Sequence, residues 1–256
     1  MPISRQPLSV AIITLNAASQ LAACLHSARF ADEIVVVDSG STDGTQALAV
    51  QHGARVIQQE WLGFGRQKQF AVEAAQHDWV LCLDADERVT PDLQASIEQT
   101  LQAPATGAFR SPRCNRFLGR YLKHGEGYPD WSLRLFDRRQ ARWSNDAVHE
   151  KVETDCPIGE LAGDLLHDSA ESLASYLTKQ NRYTTLAAEM ALASGKRASF
   201  GRIVVSPLIR FIKFYLIRQG FRDGLPGLIH ITIGCFNSFI KYSKMLERQN
   251  SDAALR

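Results

Sequence analysis

Two carboxylates one residue apart, Asp84 and Asp86, follow the apolar run Trp79-Val80-Leu81-Cys82-Leu83. Such a run reads as a buried strand, so the pair stands at a strand mouth. Oxygen ligands placed this way suit Mg²⁺ or Mn²⁺, which leave coordination positions open for phosphate oxygens. An ion held there neutralises a diphosphate as it leaves. The same spacing also arises by chance in solvated turns, so the pair needs company. Asn16 ends the β-rich run Leu8–Leu15, and Asp38 ends the run Glu33–Asp38. A single Asp of that kind reads equally as a turn or capping residue. Three strands that end in polar residues are a stronger pattern.

Those residues need a scaffold that brings strand ends together. Helical spacing from Ser19 to Ala28 follows the first strand. Thr45 to His52 reads as helix with Gly53 as its stop, Arg55–Gln58 as strand and Gly65–Gln76 as helix. Thr90-Pro91 opens another helix, with proline in its first turn. Strand and helix alternate to about residue 103, which predicts an α/β fold with a mostly parallel sheet and flanking helices. Right-handed crossovers then gather the strand ends on one edge, where open α/β sheets bind ligands. Residues 104–165 should add strands and loops laid over the edge of that sheet, and 166–256 a helical, basic and apolar extension.

Composition narrows the function classes. The chain of 256 residues is 45% apolar and 22% charged, with a net charge of +2, which is ordinary for a globular protein. Five scattered cysteines show no C-x-x-C spacing, so reduced thiols are expected rather than zinc or a disulfide framework. The first nine residues lack the apolar core of a signal peptide, and no 18-residue run is apolar enough for a clear membrane span. The first strand runs into Asn16-Ala-Ala-Ser-Gln-Leu21 without a glycine, against a dinucleotide-binding turn or a P-loop. A nucleotide would have to be held by side chains and a metal.

Val10-Ala-Ile-Ile-Thr-Leu-Asn16, Ile34-Val-Val-Val-Asp-Ser-Gly-Ser-Thr-Asp-Gly-Thr45 and Trp79-Val-Leu-Cys-Leu-Asp-Ala-Asp-Glu87 resemble glycosyltransferase family 2, of the GT-A fold. Gly63-Phe-Gly-Arg-Gln-Lys-Gln69, Tyr128-Pro-Asp-Trp-Ser-Leu-Arg-Leu-Phe136 and Val148-His-Glu150 are similar to bacterial lipopolysaccharide core beta-1,4-glucosyltransferases. The resemblance implies that Asp38 accepts from the uracil of a UDP-sugar, with Asn16 at the same nucleotide end. It implies Asp84 on the ribose or the metal, and Asp86 on the metal across the diphosphate. Arg66 and Lys68 are phosphate contacts or merely solvated cations. Gln69 stands where the family often has Asn, and is given no role.

Inverting transfer also demands a base for the acceptor hydroxyl. The candidates are Glu126, Asp130, Asp146, Glu150 and Glu153. Glu150 is chosen for its family-like pairing with His149, and Asp130 is the runner-up. Either could instead be a loop ion pair with an arginine. His149 is a metal or diphosphate contact, or a hydrogen-bonded structural residue.

The arginines between Arg110 and Arg142 could recognise a phosphorylated glycan. Nucleic acid is disfavoured by the small net charge and by Asp84, Asp86 and Glu87. Within Leu208–Gln219, the cations Arg210, Lys213 and Arg218 share a broad helical face. That composition suits an interfacial helix on an anionic leaflet, although core or dimer packing would also use it. The expectation is a cytoplasmic enzyme, peripheral on the inner-membrane surface, that moves a hexose from UDP-glucose to a lipid-linked glycan. A nucleotidyltransferase and a non-catalytic glycan-binding protein are the rival classes. The sugar, the linkage and the oligomeric state stay open.

Overall fold

The computed structural model describes residues 5–145, 150–169 and 172–254. They divide into two compact units, residues 1–114 with 129–168, and residues 115–128 with 169–256.

The first unit begins with strand–helix alternation. In order these are β1 (Leu8–Thr14), α1 (Ala18–Ser27), β2 (Glu33–Asp38), α2 (Thr45–Gln51), β3 (Arg55–Gln58), α3 (Phe64–Ala74) and β4 (Trp79–Asp84). Then come β5 (Glu87–Val89), α4 (Pro91–Thr100) and β6 (Ala108–Phe117), whose last residues enter the second unit with β7 (Arg120–Tyr121). The first unit resumes with β8 (Asp130–Asp137), β9 (Ala141–Trp143), β10 (Val152–Thr154), β11 (Ile158–Glu160) and β12 (Leu165–His167). The sheet runs β3-β2-β1-β4-β8-β6-β12-β5. Its first four strands are parallel, and β8 lies antiparallel to both β4 and β6.

Alternating side chains explain why β1 and β4 read as continuous apolar runs. Leu8, Val10 and Ile12 join Leu81 and Leu83 in a core with Leu21 and Leu25 of α1 and Leu93 and Ile97 of α4. Ala11, Val80 and Cys82 face the other way, onto Ala71 and Val72 of α3, Phe136 and Trp143. Both sheet faces are therefore covered. Thr90 caps α4 as its sequence suggests, accepting from the Leu93 amide at 3.3 Å with Pro91 in the first turn.

The second unit holds α5 (Leu173–Ala193), α6 (Phe200–Phe211), a π-helical stretch Ile212–Ile217, a 3₁₀ turn Gly220–Asp223 and α7 (Gly224–Ala254). Phe117, Tyr176 and His230 cluster with ring centroids 5.2–6.1 Å apart. Asp223, nearly fully buried, accepts from the His124 amide at 2.8 Å and lies 3.0 Å from its Nδ1. Arg210, Lys213 and Arg218 lie 5.6, 5.2 and 6.0 Å from the ring of Phe214, and Arg210 also pairs with Glu126. Gly234 makes that possible: a Cβ there would sit 2.3 Å from Glu126 Oε2 and 3.1 Å from Arg210 Nε. No described helix is long and apolar enough to cross a membrane.

Candidate active site

Register brings the expected residues to one edge of the first unit. Thr14 pairs with Asp38, and Ile13 with Asp84, so both acids flank the carboxyl end of β1. The strand order reverses there, since β2 lies on one side of β1 and β4 on the other. This is the switch point at which open α/β sheets place ligands.

Asp38 is fully buried, and both its oxygens are engaged. Oδ1 accepts from Thr14 Oγ1 at 2.8 Å and Ser41 Oγ at 2.5 Å. Oδ2 accepts from the amides of Gly40 and Ser41 at 3.0 and 2.8 Å and from Gln46 Nε2 at 2.7 Å. Burial alone would raise the Asp38 pKa, but these bonds, led by the Ser41 hydroxyl, hold it below the ordinary carboxylate value. Asn16 adopts a left-handed conformation, φ 50°, and accepts from the Thr42 amide at 2.9 Å. Its own amide donates to Ser41 Oγ at 2.8 Å. Asp38 and Asn16 thus hold the 39–44 turn from both sides, and Gly40 and Gly44 supply its positive φ angles.

The paired carboxylates take different partners. Asp84 lies 3.0 Å from Lys68 Nζ and 2.8 Å from Arg134 Nη2. Burial would raise its pKa, but Arg134 and then Lys68 outweigh that and hold the carboxyl well below the usual range. Arg134 is buried and also donates to Glu87 Oε1 at 2.7 Å, and Glu87 is fully buried. Desolvation works against the guanidinium charge, but Glu87 and Asp84 more than offset it and raise its pKa. Glu87 Oε2 accepts from the Asp84 amide at 3.0 Å, which ties the strand end to the turn. Trp143 floors this network, with Lys68 4.8 Å and Arg134 5.7 Å from its ring. Its Nε1 donates to Cys82 Sγ at 3.3 Å, and burial pushes that thiol up to about 11.

Lys68, expected as a phosphate contact or a solvated cation, is buried on α3 and has a second partner. Its ammonium is 3.1 Å from Glu150 Oε1, so Asp84 and Glu150 share one cation. Asp130 is held by Arg113, whose Nε and Nη2 lie 2.9 and 2.7 Å from Oδ2. Arg66 is exposed. His149 and Asp146 lie outside the described residues. Gln69, given no role from sequence, accepts from the Trp143 amide at 2.9 Å and so positions the aromatic floor.

Asp86 faces a residue that the sequence did not single out. His167 Nε2 on β12 is 3.3 Å from Asp86 Oδ2. The Asp168 amide donates to the Asp86 carbonyl at 2.9 Å and fixes the two segments together. Among the described residues no three His, Cys, Asp or Glu side chains gather as a closed metal cage. An oxygen and a nitrogen ligand side by side still fit a divalent cation whose other positions go to phosphate oxygens and water. Arg134, expected among the arginines that meet a phosphorylated glycan, and Glu87, read only as negative charge, instead form the buried pair behind Asp84. An arginine within Leu133-Arg134-Leu135-Phe136, and an acid directly after the carboxylate pair, were the available signals of a buried ion pair. Several arginines expected to meet a phosphorylated glycan are instead paired with acids: Arg110 with Glu160, Arg113 with Asp130, and Arg139 with Asp137 and Asp78.

Residues 9–157 match the model of glycosyl transferase family 2. The chain is 33% identical over 254 residues to the lipopolysaccharide core biosynthesis glycosyltransferase LpsC of Rhizobium meliloti, covering 96% of this chain and 94% of that protein. An uncharacterized glycosyltransferase of Rickettsia felis is 31% identical, with 94% and 90% covered. Glucosyl-3-phosphoglycerate synthase of Mycobacterium tuberculosis, solved with Mn²⁺ and UDP-glucose, is 25% identical over 43% of this chain and 44% of that one. Its TM-score is 0.38. A GT-A scaffold with its carboxylate pair at the end of β4, matched over both the family model and a near full-length relative, identifies the chain as a member of glycosyltransferase family 2.

Proposed function

We propose that this enzyme is an inverting, metal-dependent hexosyltransferase that uses UDP-glucose and an acceptor in the inner core of lipopolysaccharide. The observation that carries the reading is the shared ammonium of Lys68. It holds the strand-end carboxylate Asp84 and the candidate base Glu150 within 3.0 and 3.1 Å of one atom. A group for the donor and a group for the acceptor are thereby linked in one network. The lipopolysaccharide acceptor is drawn from LpsC, whose name describes that activity and whose length this chain matches.

Asp38 and Asn16 shape the turn that receives the uracil end, with Asp38 acting through Ser41, Gly40 and Gln46. Asp86 and His167 would hold Mg²⁺ or Mn²⁺, and Asp84, anchored by Lys68 and Arg134, fixes the strand end beside them. Such an ion would supply charge neutralisation for the departing diphosphate. Glu150 takes the proton of the acceptor hydroxyl as its oxygen bonds to the anomeric carbon. The bond from that carbon to the diphosphate breaks, and its electron pair leaves with UDP. Lys68 offsets negative charge between the two carboxylates and keeps Glu150 oriented. Asp130 is less suited to the base role, since Arg113 grips one of its oxygens through two nitrogens. The acceptor is lipid-linked, so the enzyme works peripherally on the cytoplasmic face of the inner membrane.

The test is UDP release with and without acceptor, for the parent enzyme and for Glu150→Gln. The variant should bind donor normally and turn over about 10²-fold more slowly, the scale of a lost general base. Near-normal turnover would move the role to Asp130. Donor binding without any UDP release would instead support a glycan-binding protein.

A further inference from the structure

α6 and the π-helical stretch after it are wound with their polar side inward. Ser206 meets Ser238 of α7 at 3.0 Å, and Arg210 pairs with Glu126, its Nε 3.1 Å from Oε2. The opposite side carries Val204, Leu208, Ile209, Ile212, Leu216 and Ile217, each between 41% and 71% exposed. Their spacing forms one stripe along about 20 Å of helix, at 1.5 Å per residue. A helix that packs on a core in water shows the reverse arrangement. An exposed aliphatic stripe of this length marks a surface that is covered in use.

The charges around it indicate what covers it. Arg202, Lys213, Arg218 and Arg222 are all exposed along the same segment. Between Lys196 and Leu246 the sequence holds one acid, Asp223, and that side chain is buried against His124. A second copy of this chain would bring the same cations against these. An anionic lipid headgroup layer complements them, while the aliphatic row enters the acyl boundary. We infer that the outer face of residues 200–222 is a bilayer-docking surface that lies flat on an anionic leaflet. This gives the lipid-linked-acceptor reading its membrane contact; it rests on that reading for its purpose and on the exposed stripe for its evidence.

The experiment is sedimentation with vesicles of phosphatidylglycerol and phosphatidylethanolamine, and with phosphatidylcholine vesicles, read without any sugar transfer. Failure here therefore leaves the catalytic reading standing, and failure of UDP release leaves this one standing. The full chain should bind the anionic vesicles in a salt-sensitive way. Lys213→Gln/Arg218→Gln/Arg222→Gln should weaken binding by at least about tenfold. Leu208→Ser/Ile212→Ser/Ile217→Ser should abolish it at any salt while leaving the melting curve in place, since all three side chains are exposed. Equal binding by the parent and the serine variant would overturn the inference. So would a lipid-free dimer that the serine changes split, which would assign the stripe to a second copy.

Discussion

Replacing Arg134 with Met keeps the length of the side chain and removes its charged fork. In the structure that fork spans Asp84 at 2.8 Å and Glu87 at 2.7 Å, and Glu87 has no exposed surface. Removing one member of a buried ion pair costs about 3–5 kcal/mol, because the other charge stays behind uncompensated. Two neighbours pull this case toward the lower end. Arg113 remains 3.6 Å from Glu87, and Lys68 remains 3.0 Å from Asp84. The expected loss is therefore about 3 kcal/mol, which for a unit of this size lowers Tm by about 6–12 °C. Urea titration and thermal melting followed by circular dichroism would measure it. Arg134→Met combined with Glu87→Gln should recover most of the loss, since the stranded charge is then gone. A cost under about 1 kcal/mol for the single change, or simple additivity in the double one, would refute the reasoning. Either result would mean that the ion pair only breaks even with a buried apolar stem.

Two further outcomes follow from the same geometry. Asp86→Ala and His167→Ala should each abolish the Mn²⁺ dependence of UDP binding, measured by calorimetry with and without metal, while Tm stays close to the parent value. Retention of that dependence in both variants would remove the cation from this pair. The carboxyls of Asp38, Asp84 and Asp137 are all held below their ordinary values, so folding binds fewer protons than unfolding over the acid range. Their stabilisation is complete above the unfolded pKa, about 3.9 for Asp, and is lost as pH falls through the folded values. Tm should hold steady from pH 7 to about 5 and drop steeply below about 4. A Tm unchanged down to pH 3 would contradict this.

The strand mouths were legible because local chemistry specifies them. Apolar runs that end in Asn16, Asp38 and Asp84 belong to a covered parallel sheet whatever else the chain does. Thr90-Pro91 announces α4 within three residues. The partner of each acid was not legible. Asp84 reads alone as a ribose or metal contact, but α3 packing turns Lys68 onto it, and β8 delivers Arg134 from fifty residues downstream. His167 had no helix or motif around it, and only the antiparallel pairing of β12 with β5 sets it beside Asp86. The second role of Arg210 was not legible for a related reason. Helical spacing shows that Arg210 shares a face with Lys213 and Arg218, but its ion pair depends on Glu126 and on the space left at Gly234.

The crowding of donors around Asp38 also bears on how a nucleotide is met. Four hydrogen bonds to Asp38 fix the stretch from Gly40 to Gln46, and a fifth, from Thr14, anchors Asp38 itself. Immobilising a free turn costs about 1 kcal/mol per residue in backbone entropy, and here folding has already met that cost. On the proposed reading, donor capture at this turn resembles a key entering a rigid socket, with little heat or disorder spent on shaping the socket itself. Loosening the turn at Ser41, without touching any group that faces the ligand, would transfer that cost back to binding.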